Sequence, residues 1–80
     1  MTTRTWAAAG LPLLDRLVED PALRGSHRVW AVRADLHRRV GDTAAALADY
    51  DRALELVSNQ AERRYLAGAR RLAKQRAASG

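Results

Sequence analysis

Residues 28–58 read RVWAVRADLHRRVGDTAAALADYDRALELVS, and this stretch is the most informative about the fold. Large and small residues recur three or four positions apart on both sides of the Gly41-Asp42 pair: Trp30, Ala34 and His37 before it, and Ala46, Tyr50 and Ala53 after it. Such spacing places each set on one face of a helix. Gly41 suits the left-handed end of one helix, and Asp42 suits the N-cap of the next. The stretch therefore predicts two amphipathic helices joined by a tight turn.

The alternation of large and small side chains resembles a tetratricopeptide repeat, a helix–turn–helix unit of roughly 34 residues. Three positions depart from the usual pattern. Arg33 stands where Leu is common, His37 stands where Tyr is common, and Ser58 replaces a closing Pro. The resemblance implies an all-α fold: a four-helix antiparallel stack of helical hairpins of the tetratricopeptide type.

The same periodicity predicts one domain over residues 1–80, with helices at about 5–20, 27–40, 43–57 and 60–77. Pro12 complicates the first helix, because a proline inside a helix removes a hydrogen bond and clashes with the preceding turn. We expect its firm part over residues 11–19, with residues 5–10 helical only if a neighbour stabilises them. The expected core comprises Leu14, Leu17, Trp30, Ala34, Leu36, Leu47, Tyr50, Leu54, Leu66 and Leu72.

Composition excludes several classes of protein. The chain has no Cys, which excludes a disulfide framework, thiolate zinc sites and thiol catalysis. No apolar run approaches the roughly 18 residues of a membrane span. The N-terminal ten residues do not form a convincing signal peptide. We expect a soluble cytoplasmic protein that does not associate with membranes.

The positive charge is concentrated at one end of the chain. Residues 1–58 hold eight Arg and eight acidic residues, whereas residues 59–80 hold six basic residues and only Glu62. The last helix therefore carries the whole net charge of +5. Two interpretations stay open: a solvated helix face, or a surface for an acidic protein or a nucleic acid.

Nothing in the sequence predicts catalysis, a metal site or a cofactor. His27 and His37 stand ten residues apart without Cys, and the five glycines are isolated rather than grouped in a phosphate-binding loop. We interpret His37 as an interface residue, His27 as solvent-exposed, and Trp30, Tyr50 and Tyr65 as core. The sequence predicts a protein that is not an enzyme.

Candidate binding residues come from two sources. A repeat of this kind offers a concave groove lined by its first helices, and by that resemblance the groove-facing positions are Arg28, Ala31, Asp35 and Arg38. The basic face of the last helix adds Arg63, Arg64, Arg70, Arg71 and Lys74. We expect these nine residues to bind a partner.

Residues 9–72, about four-fifths of the chain, resemble a narrower group. The motifs are Ala9-Gly10-Leu11, Leu14-Asp15, Leu17, Arg33-Ala34-Asp35-Leu36, Arg38-Arg39, Gly41, Ala53-Leu54, Leu56, Asn59 and Ala61-Glu62-Arg63. They are similar to the C-terminal extension of a family of bacterial extracytoplasmic-function RNA polymerase sigma factors. The resemblance implies a regulatory module that modulates transcription initiation by docking on the promoter-reading domains of a sigma factor or on RNA polymerase.

Two alternatives stay open. One is a small basic protein that binds nucleic acid through its Arg-rich last helix. The other is a self-associating helical domain, such as a homodimer in which the exposed ends of the stack pair.

Overall fold

Four helices account for the architecture. The computed structural model describes the backbone of residues 3–79 and the side chains of residues 6–78; residues 1, 2 and 80, which the predicted domain includes, lie outside it. The helices are α1 (Thr3–Leu17), α2 (His27–Arg39), α3 (Thr43–Leu56) and α4 (Gln60–Ser79), and the described residues contain no strand. Each helix packs against the next. The predicted all-α stack of four helices is confirmed.

Successive helices run antiparallel, as their paired residues show. Asp15 of α1 contacts Arg33 of α2, while Arg39 at the end of α2 lies over Trp6 near the start of α1. Arg63 near the start of α4 contacts Val57 just after α3, and Arg70 further along α4 contacts Asp51 further back in α3, so these two helices are antiparallel as well. As a result, α2 and α4 run parallel to each other on either side of α3.

The turn between α2 and α3 has the geometry that Gly41-Asp42 predicts. Gly41 has a φ of 89°, in the left-handed region that favours glycine. Its N–H donates to the carbonyl of Arg38, and the N–H of Asp42 donates to the carbonyl of His37, which is the Schellman pattern. The carboxylate of Asp42 then accepts a hydrogen bond from Ala45 N–H at 3.1 Å and so caps α3. Local chemistry alone accounts for this corner.

α1 extends further towards the N-terminus than its firm predicted part. It begins at Thr3 and continues through Pro12, so residues 5–10 are helical. The stabilising neighbour is α2: Ala7 is fully buried in a cluster with Leu14 and Leu36, and a Cβ on Gly10 would lie 3.2 Å from Leu36 Cδ1. Tertiary burial offsets the hydrogen bond that Pro12 removes.

The end of α1 falls three residues before the predicted one. Beyond Leu17 the chain tightens, because Glu19 and Asp20 donate to carbonyls only three residues back. Asp20 precedes Pro21, a position where helical backbone is disfavoured. The other predicted helix ends agree with the structure to within two residues.

The core combines small residues of α2 and α3 with a single large ring. Ala34, Ala46 and Ala53 are completely buried, and Tyr50 fills the space that they leave open. Trp30 packs against this cluster at the edge, and its indole N–H donates to the carbonyl of Arg24 at 2.7 Å, which ties down the loop before α2. The alternation in the sequence therefore corresponds to close helix packing.

Two of the predicted core residues are wrong. Tyr65 is 73% exposed and Leu72 is 53% exposed. The small Ala69 and Ala73 pack inward with Leu66 instead. Because α4 has no further helix beside it, its second apolar row remains uncovered by the described residues.

A buried carboxylate joins three helices. Asp49 of α3 is only 4% exposed and accepts a hydrogen bond from Arg33 Nη1 at 3.0 Å, with His37 Nε2 at 3.5 Å from its other oxygen. Arg33 also binds Asp15 of α1 at 2.9 Å. Arg33 and His37 are two of the departures from the repeat pattern, and both face this one carboxylate.

Polar groups fix the start of α4 and join it to α2. Asn59 Oδ1 accepts a hydrogen bond from Glu62 N–H at 3.0 Å and so caps the helix. The carboxylate of Glu62 turns away to contact His27 and Arg28 at the start of α2. His27 is therefore half-buried and paired, which corrects the expectation that it is solvent-exposed. None of the described helices is long and apolar enough to span a bilayer.

Replacing Gly41 tests the corner between α2 and α3. We expect Gly41→Ala to lower the free energy of unfolding by about 1–2 kcal/mol, because a Cβ is strained in the left-handed region. Urea unfolding followed by circular dichroism measures this. Gly25→Ala is the matched control, since nothing lies within 4 Å of its Cβ position and its φ is ordinary. Equal losses in the two variants would contradict the account.

Replacing Arg33 tests the buried carboxylate. We expect Arg33→Leu to destabilise the fold by about 3 kcal/mol, because Asp49 stays buried without its main cation, and the double variant with Asp49→Leu to recover most of that loss. Arg52→Leu is the control: Arg52 lies as close to the Trp30 ring as Arg33 does, but its carboxylate partner Glu55 is exposed. It should cost less than about 1 kcal/mol. A double variant no more stable than Arg33→Leu would contradict this.

The same carboxylate gives a pH dependence. Burial raises the pKa of Asp49, and Arg33 and His37 offset part of the rise. The folded state then holds this proton more tightly than the unfolded chain, so ionisation of Asp49 lowers stability as pH rises through its folded-state pKa. We expect wild type to gain stability relative to Asp49→Asn between about pH 7 and about pH 4, measured by urea unfolding at both pH values. A constant or reversed difference would contradict the direction of the shift.

Candidate functional site

A groove runs between α2 and α4. It comprises two adjoining cavities of about 670 Å³ and about 570 Å³, which share Asp35, Arg38, Tyr50 and Tyr65 in their linings. The two helices meet at their N-terminal ends, where Glu62 contacts His27 and Arg28, and α3 lies beneath them. Volumes of this size are typical of binding pockets.

The α2 wall contains all four residues that the repeat resemblance assigns to a groove. Arg28, Ala31, Asp35 and Arg38 follow one another at spacings of three, four and three, and each lines a cavity. Val32 and Arg39 border them. Helical spacing alone could place these four on one face, but their position opposite α4 required the fold.

The charge of Asp35 is neutralised within the wall. Its two oxygens accept from Arg38 Nη2 at 2.6 Å and from Arg39 Nε at 2.7 Å. Partial burial acts to raise the pKa of Asp35, but these two hydrogen bonds outweigh it and hold the pKa below its usual value. Asp35 therefore orients the two arginines and stays ionised at neutral pH.

Tyr50 of α3 forms the floor. Its ring belongs to the core, and burial raises the pKa of its phenol, with the nearby Asp35 adding to the rise. The phenol therefore stays protonated beside Arg38 at neutral pH. It gives the floor a polar atom that both donates and accepts hydrogen bonds.

The α4 wall combines exposed apolar side chains with arginines. Tyr65 and Leu72 stand seven residues apart, and Arg64 and Arg71 repeat the same interval one position earlier. Gly68 lies between them, and nothing is within 4 Å of the position of its Cβ. The missing side chain leaves the middle of the wall open.

The basic residues predicted on α4 divide into two groups. Arg64 and Arg71 line the groove, whereas Arg63 and Arg70 face α3. Arg63 donates to the carbonyls of Leu54 at 3.3 Å and Val57 at 2.8 Å. Arg63 therefore neutralises the C-terminal end of α3.

Arg70 and Lys74 also lie outside the groove. Arg70 binds Asp51 of α3 at 2.5 Å, so it holds α4 against α3. Lys74 is exposed and lines neither cavity. The groove takes Arg76 instead, which the sequence analysis did not single out.

The lining is strongly positive. Six arginines and a single aspartate border the two cavities: Arg28, Arg38, Arg39, Arg64, Arg71, Arg76 and Asp35. Among residues 6–78, Arg64, Arg71 and Arg76 form no ion pair, so their charge is available to a ligand. The arginines of the α4 wall are therefore more available to a ligand than the paired arginines of the α2 wall.

Sequence reasoning missed the apolar part of this site. Tyr65 and Leu72 were assigned to the core because they follow helical spacing with Ala69, and Gly68 was noted only as an isolated glycine. A signal was present: α4 has too many apolar positions for one buried stripe, and small residues occupy the inner row. Within the part of the chain that the structure describes, no three His, Asp or Glu side chains could hold a metal ion.

Comparison with known proteins adds no relative. No protein-family model, no curated protein and no solved structure matches this chain.

Proposed function

We propose that this chain is a non-catalytic protein-docking domain that binds a segment of another protein in the groove between α2 and α4. The observation that carries the proposal is the α4 wall, where the exposed Tyr65 and Leu72 stand beside the unpaired Arg64 and Arg71. Exposed aromatic and arginine side chains around a concavity are typical of protein interfaces. Burying them gives affinity, and the charges set the orientation.

We propose further that the domain is tetratricopeptide-like and acts as the C-terminal module of extracytoplasmic-function sigma factors does. Its partners would then be sigma-factor promoter-reading domains or RNA polymerase in the cytoplasm, and docking would modulate transcription initiation. The support is the sequence resemblance over residues 9–72. Several of its motif residues also have structural roles: Gly10 packs against Leu36, Arg33 binds Asp49, and Gly41 ends α2.

Nucleic-acid binding through α4 is the second candidate. It is favoured by the arginines that lack ion pairs, Arg64, Arg71 and Arg76. Contacts with phosphates would neutralise these cations and would weaken steeply with added salt. They would leave Tyr65 and Leu72 exposed unless bases stacked on the ring, so a protein segment accounts for more of the surface. Self-association is the third candidate function. Size-exclusion chromatography with light scattering tests it.

Filling the groove tests the docking proposal. We expect Gly68→Met to keep the fold, since nothing occupies the space beside Gly68, but to weaken binding about tenfold or more by projecting a side chain between Tyr65 and Leu72. Gly68→Ala is the matched control, with a gain in stability of about 1 kcal/mol and little effect on binding. Binding of nuclease-treated RNA polymerase core and of isolated sigma-factor promoter-reading domains to the immobilised chain is the measurement.

The outcomes distinguish the groove as the binding site from the sigma-factor role and from nucleic-acid binding. Binding to polymerase or to a sigma domain that Gly68→Met abolishes supports both the groove and the sigma-factor role. Binding that Gly68→Met leaves unchanged rejects the groove as the site. Absence of binding to any of these proteins rejects the sigma-factor role. Loss of all binding after nuclease treatment favours the nucleic-acid candidate.

A further inference from the structure

We infer that the segment bound in the groove is an acidic amphipathic helix of about three turns, with an apolar stripe bordered by carboxylates. The inference rests on the proposed function and names the chemistry of the partner. It follows from the exposed apolar side chains that line the groove, from the length of the α4 wall and from the charge left unpaired there.

Exposed apolar side chains in the groove define one face of the ligand. Tyr65 and Leu72 from α4 and Val32 from α2 line the two cavities. All three are more than half exposed. An occupant that buries them must present a continuous apolar stripe.

Arginines from both helices line the groove beside these apolar side chains. Arg64 and Arg71 stand on the α4 side, and Arg28 and Arg38 stand on the α2 side. The α2 pair already contacts Glu62 and Asp35, whereas the α4 pair has no carboxylate partner among the described residues. The occupant therefore needs carboxylates beside its apolar stripe, and most of them should face α4.

The length of the wall sets the length of the ligand. Arg64 and Arg76 line the first cavity twelve positions apart, which at about 1.5 Å per residue is roughly 18 Å of helix. A bound helix of about three turns has the same length. Such helices dock through residues at i, i+3, i+4 and i+7, which match the seven-residue interval between Tyr65 and Leu72. Gly68, midway along, gives space for one anchoring side chain.

A second copy of this chain does not fit this description. Among residues 6–78, the other exposed large hydrophobic side chains are those of Trp6 and Leu13, both on α1. The α1 sequence TRTWAAAGLPLLDRL holds two arginines and one aspartate, so it is basic rather than acidic. Docked beside Arg64 and Arg71, it would add like charge to an already positive groove.

Designed peptides test the inference. The probe is an 18-residue fluorescein-labelled helix with Leu at i, i+3, i+4 and i+7 spacing and Glu at most other positions. Two controls accompany it: a scrambled peptide of the same composition without the stripe, and the stripe peptide with Lys in place of Glu. A single-stranded 20-nucleotide DNA is the fourth ligand. Fluorescence anisotropy at low and moderate salt gives the affinities.

We expect the acidic stripe peptide to bind at least about tenfold more tightly than either control peptide. We expect Arg71→Glu to weaken its binding about fivefold or more, and Lys74→Glu to change it less than about twofold. The two substitutions make the same charge change one turn apart on α4, so net charge alone cannot separate them. Circular dichroism confirms equal folding of both variants.

Several results would overturn the inference. Equal binding of the scrambled peptide would show attraction by net charge without a groove. Equal losses of peptide affinity in Arg71→Glu and Lys74→Glu would likewise show attraction by net charge alone. Tighter binding of the DNA than of the acidic peptide would indicate that the α4 wall binds nucleic acid instead of a protein helix. If Gly68→Met blocks binding of polymerase or of a sigma-factor domain, but the chain binds the acidic peptide no better than the control peptides, the inference fails and the proposed function stands. If the chain binds neither these proteins nor the acidic peptide in the groove, the groove is not a docking site.

Discussion

The ion pair between Arg33 and Asp49 is the constraint on which the other packing depends. A carboxylate that is almost completely buried requires a cation, and Arg33 provides one from the middle of α2 while it also binds Asp15 on α1. A planar guanidinium has several donors in fixed directions, so it can bind two carboxylates at once, which an aliphatic side chain cannot do. This pair sets how α1, α2 and α3 lie relative to one another. A buried ion pair adds little net stability, but removing one of its partners leaves an uncompensated buried charge.

The groove is a consequence of this arrangement and of how α4 is attached. α3 is held to α2 by its buried alanines and by Asp49, so Tyr50 is fixed as the floor between the two walls. α4 then packs on α3 through Leu66, Ala69 and Ala73, and its contacts with α2 include the pairs from Glu62. A helix packed on one face by small residues leaves its large ones outward. That is why apolar surface remains exposed along α4.

The basic residues of α4 carry two different functions in spite of their similar sequence. Arg63 and Arg70 attach the helix to α3, one at the carbonyls that end α3 and the other at Asp51. Arg64 and Arg71 follow each of them by one position, and that rotation of about 100° brings them to the groove. We therefore interpret the surplus of positive charge as partly structural. The arginines beside Tyr65 and Leu72 are the ones that we assign to a partner.

Short-range patterns in the sequence predicted the local structure. The periodicity predicted four helices, Gly41 and Asp42 predicted the corner, and the small residues at positions 34, 46 and 53 predicted close packing, because each depends on neighbours within a few positions. Features that depend on residues distant in the sequence could be read only from the tertiary structure. Residues 5–10 are helical because α2 buries Ala7. Arg33 and His37, which departed from the repeat pattern, both contact Asp49. Tyr65 and Leu72 are exposed because no described helix covers that side of α4. Helical spacing shows which residues share a face, but only the packed chain shows whether a neighbour covers it.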